Sequence, residues 1–354
     1  MKRFFRWLYY TLPRRLNTRY LFSCRNYVFE VTYACNLNCS MCCYLQEIAR
    51  KQGEIQKRTE LTGNEIRDIV KQLPRKSNIA FTGGEPFVKK GFIDAVREAK
   101  QRGFSVTIGT NGVLLTPGLC AALVELRVDQ IGLSLDGPRE IHNQVRGKPN
   151  AFDGLVNGIR TLREARDTAG TRAPRIMVNA VILPKTYELL PETIRIMKEI
   201  GADTASIEAM DGSYERSASR LRDTIDPNIS PMENVPRISA APFRECLEKT
   251  FDVANGINLP LSVSPRGMTI ADLVAYYQGD FNLAAWQCFV PWETCRISPY
   301  GDLFPCMNCR IGNVRDQSLY SLWTSPRYAA FRQLFKNGKT RPCCAGCCKL
   351  AKRR

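Results

Sequence analysis

Three cysteines in the short segment Thr32-Tyr33-Ala34-Cys35-Asn36-Leu37-Asn38-Cys39-Ser40-Met41-Cys42 have the spacing Cys-x3-Cys-x2-Cys. Three thiolates on one loop can hold three irons of a cubane and leave the fourth iron without a protein ligand. An open iron is what a catalytic cluster needs, by the logic of the open coordination position of a catalytic zinc. The competing zinc site wants a fourth thiolate or histidine, and Cys43 is the only nearby candidate. The chain carries fifteen cysteines but one histidine, His142, an inventory that suits ligation by thiolates alone better than Cys/His zinc or a three-histidine metal. The cysteines are also grouped, from Cys24 to Cys43 and from Cys288 to Cys348, with only Cys120 and Cys246 between, both read as buried structural thiols. In a reducing compartment such groups are metal ligands before they are disulfides.

The elements that must position this loop follow from periodicity. Between residues 27 and 208 short β-rich runs alternate with amphipathic helical stretches. The pattern predicts strands at Tyr27–Thr32, Asn78–Phe81, Ser105–Gly109, Gln130–Leu135, Arg175–Leu183 and Thr204–Ile207. Helices are predicted at Thr62–Leu73, opened by a Thr62/Glu65 capping box, and at Gly91–Arg102, Pro117–Arg127, Phe152–Arg166 and Tyr187–Ile200. Six βα units imply an α/β fold, a partial (β/α)6 TIM-like barrel whose site gathers at the C-terminal ends of the strands. The expected organisation is a basic N-terminal segment (1–26), the barrel core (27–210), a connecting region (211–285) with a helical pattern at Pro242–Asn255, and a small loop-rich, cysteine-rich module (286–354).

The loops after the predicted strands carry the other candidate residues. Thr82-Gly83-Gly84-Glu85-Pro86 follows strand two, where two glycines let backbone approach a ligand and Glu85 is placed to accept from a cation. Thr110-Asn111-Gly112 follows strand three, and Ser134-Leu135-Asp136-Gly137 follows strand four. Together with the three cysteines these stretches resemble the radical S-adenosylmethionine (SAM) superfamily. The resemblance implies that a [4Fe–4S] cluster on Cys35, Cys39 and Cys42 binds SAM at its open iron and cleaves it reductively to a 5′-deoxyadenosyl radical. It assigns SAM contacts to Gly83, Gly84, Glu85 and Pro86, which in the family meet the methionine amino group, and to Thr110, Asn111 and Asp136. Ser134 and Asn179 are expected at the SAM ribose or carboxylate. Within His142-Asn143-Gln144-Val145-Arg146-Gly147, Arg146 is expected to meet a carboxylate or form a surface salt bridge, and His142 to cap a helix or pack.

The tail resembles the SPASM/Twitch extension of the same family through Cys288, Gly301-x4-Cys306, Gly312-Asn313-Val314 and Leu322-Trp323. It lacks the Cys-x2-Cys-x5-Cys-x3-Cys run of a full module, so one auxiliary [4Fe–4S] cluster is expected, on Cys288, Cys306, Cys344 and Cys347, with Cys343 or Cys348 as substitutes for a neighbour. Cys295 and Cys309 are left over as ligands, buried thiols or catalytic hydrogen-atom donors. The auxiliary cluster would accept an electron, bind substrate or staple the tail.

Of the net charge of +17, residues 1–29 carry +7 and residues 286–354 carry +9, so the middle is nearly neutral. Basic ends point to an acidic partner or surface, and the resemblance implies a flavodoxin- or ferredoxin-type electron donor. Phe4, Trp7, Leu8 and Leu12 share a helical face among basic residues, a pattern for the membrane surface or for packing on the barrel. No stretch is long and apolar enough to span a membrane, no signal peptide is recognisable, and no nucleic-acid motif accompanies the charge. A cytoplasmic enzyme, with or without peripheral membrane contact, is expected. Its radical would abstract a hydrogen atom from a carbohydrate, glycolipid or other small metabolite, leading to oxidation, epimerisation or rearrangement. A maturase modifying a peptide or protein is the alternative. A non-catalytic iron–sulfur or zinc protein is the reading from another class, and it has no use for an open iron.

Overall fold

A computed structural model describes residues 23–42, 58–210, 230–306 and 309–353. The N-terminal amphipathic stretch and Cys43 lie outside the described residues. Six parallel strands run in sequence order, β1 (Asn26–Glu30), β2 (Asn78–Thr82), β3 (Ser105–Gly109), β4 (Gln130–Ser134), β5 (Arg175–Ile182) and β6 (Thr204–Ala209). Each lies within two residues of its predicted bounds.

Two additions enlarge this sheet. The stretch expected as a connection supplies β7 (Leu261–Ser264), which pairs in parallel with β6. The tail supplies β8 (Trp286–Cys288), β9 (Thr294–Ile297), β10 (Asp302–Phe304), β11 (Gly312–Asn313) and β12 (Leu350–Lys352). Strand β9 pairs in parallel with the free edge of β1, and β10 and β11 follow antiparallel. The sheet is open, ordered β11-β10-β9-β1-β2-β3-β4-β5-β6-β7, while β8 and β12 form a separate hairpin-like pair.

Helices cover one face. In chain order they are α1 (Gly63–Lys71), α2 (Phe92–Gln101), α3 (Pro117–Glu125), α4 (Arg139–Arg146), α5 (Ala151–Thr168), α6 (Leu190–Glu199), α7 (Ala240–Gly256), α8 (Ile270–Gln278), α9 (Val290–Glu293), α10 (Leu319–Thr324) and α11 (Pro326–Leu334). The Thr62/Glu65 capping box opens α1 as expected. Helix α4 escapes periodicity because it is short and buries only His142 and Val145. Cys120 on α3 is buried, whereas Cys246 on α7 is half-buried and donates to Tyr187 O at 3.1 Å.

Alternation along the strands decides where the core lies. Val106 and Ile108 of β3, Ile131 and Leu133 of β4, and Ile176, Val178, Ala180 and Ile182 of β5 are buried against the helices. The opposite face carries Thr82, Gly109, Ser134, Met177, Asn179, Val181 and Glu208, all only half-buried. A closed eight-stranded barrel fills its interior with side chains. Here the inner face carries mostly small or polar residues, with Met177 and Val181 among them, and stays partly accessible.

Helix α5 packs so closely on the turn after β3 that a Cβ on Gly158 would lie 2.2 Å from Gly112 O and 3.1 Å from Leu115 Cβ. Gly158→Ala is therefore expected to destabilise the fold by about 1–3 kcal/mol, read as a lowered midpoint in thermal melts.

Candidate active site

The loop Thr32–Cys42 has no regular structure of its own and is held from two sides. On one side Val31 N donates to Thr82 O at 2.7 Å, Gly84 N to Thr32 O at 2.7 Å, and Glu85 N to Ala34 O at 2.9 Å. A Cβ at Gly83, whose φ is +131°, would sit 2.4 Å from Thr32 O, and one at Gly84 would sit 2.3 Å from Ala34 O. On the other side Asn38 N donates to Arg146 O at 3.2 Å and Ser40 N to Val145 O at 2.9 Å, both at the end of α4. Only glycines allow the loops this near.

Cys35, Cys39 and Cys42 form no disulfide and are half-buried on this loop. Donors point at two of the sulfurs: Leu37 N at 3.5 Å and Asn111 Nδ2 at 3.9 Å from Cys35 Sγ, and Arg146 Nη1 at 3.8 Å from Cys39 Sγ. Burial pushes the Cys35 thiol up, partly offset by the Leu37 N–H. A bound cation inverts that preference and deprotonates coordinating thiols. No three cysteine, histidine or carboxylate groups converge on a single-ion site among the described residues.

Glu85 behaves differently from the expectation that it meets a cation. Its carboxylate is fully buried and accepts from Thr110 Oγ1 at 2.9 Å, Asn111 N at 2.8 Å and Phe87 N at 3.1 Å. Burial pushes its pKa up while these donors oppose the rise. The side chain ties the loop after β2 to the loop after β3, and Pro86, itself buried, begins the short turn that follows. Ser134, at the end of β4, is the direct cross-strand neighbour of Asn179 within β5. Three buried polar atoms around these loops lack partners: Asn36 Nδ2, Asp136 Oδ1 and Asn179 Oδ1. Buried polar groups are nearly always satisfied, so the orphans fit a polar ligand such as the amino-acid and ribose parts of SAM.

Arg146 is not a surface salt bridge. Its Nε pairs with the enclosed Asp136 Oδ2 at 2.6 Å, which aims the guanidinium at Cys39. His142 is packed: Nδ1 accepts from Asp136 N at 3.3 Å, and the ring meets Phe152 edge-on. Burial first, and the Arg146 charge second, push its pKa down to about 3.

In the tail, Cys288 ends β8, Cys306 follows β10, and Cys344 and Cys347 border one turn closed by Cys347 N donating to Cys344 O at 3.0 Å. Burial and then the charges of Cys347 and Cys306 push the Cys288 thiol well up. Contact with Cys343, burial and nearby Cys288 do the same to Cys344. The four expected auxiliary ligands are thus neighbours, with Cys343 against Cys344 and Cys348 against Cys347.

The hydrogen-donor expectation fails for Cys295. Alternation along β9 turns Cys295 and Ile297 into the core, where the Cys295 thiol is enclosed by Cys24, Tyr328 and Arg332. It is Arg296 that faces inward, paired with Glu30 at 2.6 Å. Cys309 sits half-buried beside Arg327, its N–H donating to Cys306 O at 3.3 Å, as a neighbour of the tail cysteines.

Glu208, at the end of β6, was missed. It makes no hydrogen bond or ion pair among the described residues, and burial pushes its pKa up, with Lys349 opposing and Asp136 adding to the rise. Lys349 of the tail and Asp136 after β4 are thus the charged groups that act on it. The alternation of Ala205 and Ile207 with Ser206 and Glu208 was the signal that could have placed it on the inner face.

Two outcomes follow from this geometry. Replacing Cys35, Cys39 and Cys42 by Ala should lower the iron of anaerobically reconstituted protein from about eight to about four, measured by iron and sulfide analysis. For His142, the unfolded imidazole protonates near 6.5 and the folded one only near 3. Between those values the unfolded state binds more protons, so stability is lost as pH falls below about 6.5, by up to ~1.4 kcal/mol per pH unit. Denaturant melts from pH 7.5 to 5 should show this slope in the native chain and a shallower one in His142→Gln.

Comparison with known proteins agrees with the site. The model of the Radical SAM superfamily matches residues 29–197, and that of an iron–sulfur cluster-binding domain, SPASM, matches residues 288–348. A tungsten-containing aldehyde ferredoxin oxidoreductase cofactor-modifying protein of Pyrococcus furiosus is 30% identical over 323 residues, covering 90% of this chain and 85% of its own. A PqqA peptide cyclase of Rhodopseudomonas palustris is 24% identical over 332 residues, covering 90% and 78%. In fold the chain resembles SuiB of Streptococcus suis, solved with its precursor peptide SuiA, with a TM-score of 0.64 at 17% identity over 90% of this chain and 69% of that one. The chain belongs to the radical SAM superfamily and carries a C-terminal SPASM iron–sulfur module.

Proposed function

We propose that this radical SAM enzyme acts on a small polar metabolite or cofactor precursor seated on the inner face of the sheet, between the two cysteine sites. The [4Fe–4S] cluster with SAM supplies the 5′-deoxyadenosyl radical when bound. This chain's own residues do the rest. Cys35, Cys39 and Cys42 hold the cluster, the loops after β2 and β3 approach the methionine end of SAM through backbone, and Asp136, Ser134 and Asn179 offer polar atoms to its carboxylate and ribose. The observation that carries the substrate reading is the inner face itself, with small polar side chains and the unpartnered carboxylate of Glu208 at its end. Such a surface hydrogen-bonds hydroxyl or amino groups, as a carbohydrate, glycolipid or cofactor precursor presents them. The Pyrococcus relative, a cofactor-modifying protein by name, supports a small substrate. The peptide cyclase supports the second reading, a peptide.

For the electron the cluster needs, the basic tail suits an acidic flavodoxin- or ferredoxin-type donor. No helix of the described residues is long and apolar enough to cross a membrane. Contact with a membrane surface would belong to the basic N-terminal residues.

The test separates the readings. Reduced enzyme and SAM are incubated with the small-molecule fraction or the peptide fraction of the source organism grown in deuterated medium. Deuterium in 5′-deoxyadenosine from the small-molecule fraction alone is the expected result, and transfer from the peptide fraction alone would establish the maturase reading. With the active fraction, Glu208→Gln should lower transfer about tenfold or more, the size expected for losing a hydrogen bond to a charged acceptor. Iron content should not change.

A further inference from the structure

Leading into the first turn of α1, residues Arg58 to Glu65 lie between the first cysteine loop and the tail, and neither the motif nor the substrate reading uses them. Glu60 is the residue of interest. Its Oε1 accepts from Tyr33 N at 2.9 Å, and its Oε2 accepts from Thr32 Oγ1 at 2.7 Å and from Lys89 Nζ at 2.6 Å. Thr32 Oγ1 in turn accepts from Ala34 N at 3.0 Å. The carboxylate therefore fixes the backbone of the residues that lead directly into Cys35. Helix α1 does not need it, because Thr62 and Glu65 complete their own capping box. Charge-assisted hydrogen bonds of this length are the strong kind.

The same segment is gripped from the tail. Leu61 N donates to Pro299 O at 2.6 Å. Arg315 donates to Thr59 O at 2.9 Å, to Glu60 O at 3.2 Å and to Glu65 Oε1 at 2.7 Å. The Arg58 guanidinium lies over the Tyr300 ring at 4.5 Å and pairs with the fully buried Asp302, which also holds Arg310 and Asn313. Tyr300 meets Tyr33 edge-on at 5.6 Å. The turn between β9 and β10, in the SPASM module, thus touches the SAM-cluster loop through one short clasp.

We infer that Glu60 is a positioning residue for the SAM-binding cluster, and that the clasp Arg58–Glu65 makes the geometry of that cluster depend on the seating of the tail module. Outer-shell partners of metal sites hold ligands in place without touching the metal, and removing one weakens metal affinity by about 10–100-fold. The inference needs only family membership and not the substrate reading, and its test uses no substrate.

The experiment is iron release to a chelator and electron paramagnetic resonance of the reduced, fully reconstituted chain, with and without SAM. The variants are Glu60→Gln, Glu60→Asp and Arg315→Met, and the tail cluster serves as internal control. In Glu60→Gln the SAM-site irons are expected to leave about tenfold faster. The spectral response to SAM should change, while the tail irons and the melting temperature stay close to those of the native chain. Glu60→Asp, which keeps the charge, should recover part of the effect. Arg315→Met, which touches no ligand cysteine, should speed SAM-site release in the same direction by a smaller factor. Native release and native SAM response in Glu60→Gln would overturn the positioning role, as would loss of both clusters together with a lowered melting temperature. An unchanged SAM site in Arg315→Met would overturn the dependence on the tail.

Discussion

The molecule rests on a loop that cannot hold its own shape. Residues 32–42 form no helix or strand, yet three sulfurs on them must keep fixed positions while a fourth corner stays open. The rigidity is borrowed through backbone hydrogen bonds to the loop after β2 and to the end of α4, at contacts so near that a Cβ at Gly83, Gly84 or Gly147 would fall within 2.1–2.4 Å of a carbonyl oxygen. Those loops are rigid in turn because Glu85 is buried among donors from the next strand end and Arg146 is locked to Asp136. Each strand end supports its neighbour, and the site is preorganised by that chain of supports.

The inner face shows what an open sheet gains over a closed barrel. The fully buried aliphatic residues of β3 to β5 face the helices, so hydrophobic burial stabilises mainly one side of the sheet and leaves the other largely to small and polar groups. Glu208 is tolerated there because it lies at the rim, near Lys349, where water or a ligand can reach it. The same carboxylate two residues earlier in register would lie deeper, in a setting that disfavours its charge.

Much of this was legible in the sequence, and what was not has identifiable physical reasons. The six strands from β1 to β6 could be located because each alternates or concentrates β-branched residues between turn signals. Strand β7 reads Leu261-Ser262-Val263-Ser264, four partly exposed residues, and β9 is four residues embedded among cysteines, so neither rises above its surroundings. The three-cysteine motif and the glycine pairs were visible because their chemistry is local in the chain. The grip of Asp136 on Arg146, the approach of Lys349 to Glu208 and the hold of Glu60 on Thr32 and Tyr33 join residues far apart or on different loops, and no spacing records them. The turn of the Glu85 carboxylate towards the next loop, and the choice among ligand, buried thiol and hydrogen donor for Cys295, were not legible for one reason: motif and composition say what a side chain can do, and only packing says which way it points.

Strand β9 carries a consequence for how the protein is made. Asn26 of β1 pairs with Thr294 of β9, across most of the length of the chain. During synthesis the first strand, and the iron loop that leaves its end, therefore wait with one bare edge until the final portion has emerged. An unpaired strand edge is a template for pairing with another chain, and domains dominated by distant contacts fold slowly and expose such edges longest. The edge of the sheet beside the first iron loop is in this sense one of the last parts of the molecule to be finished.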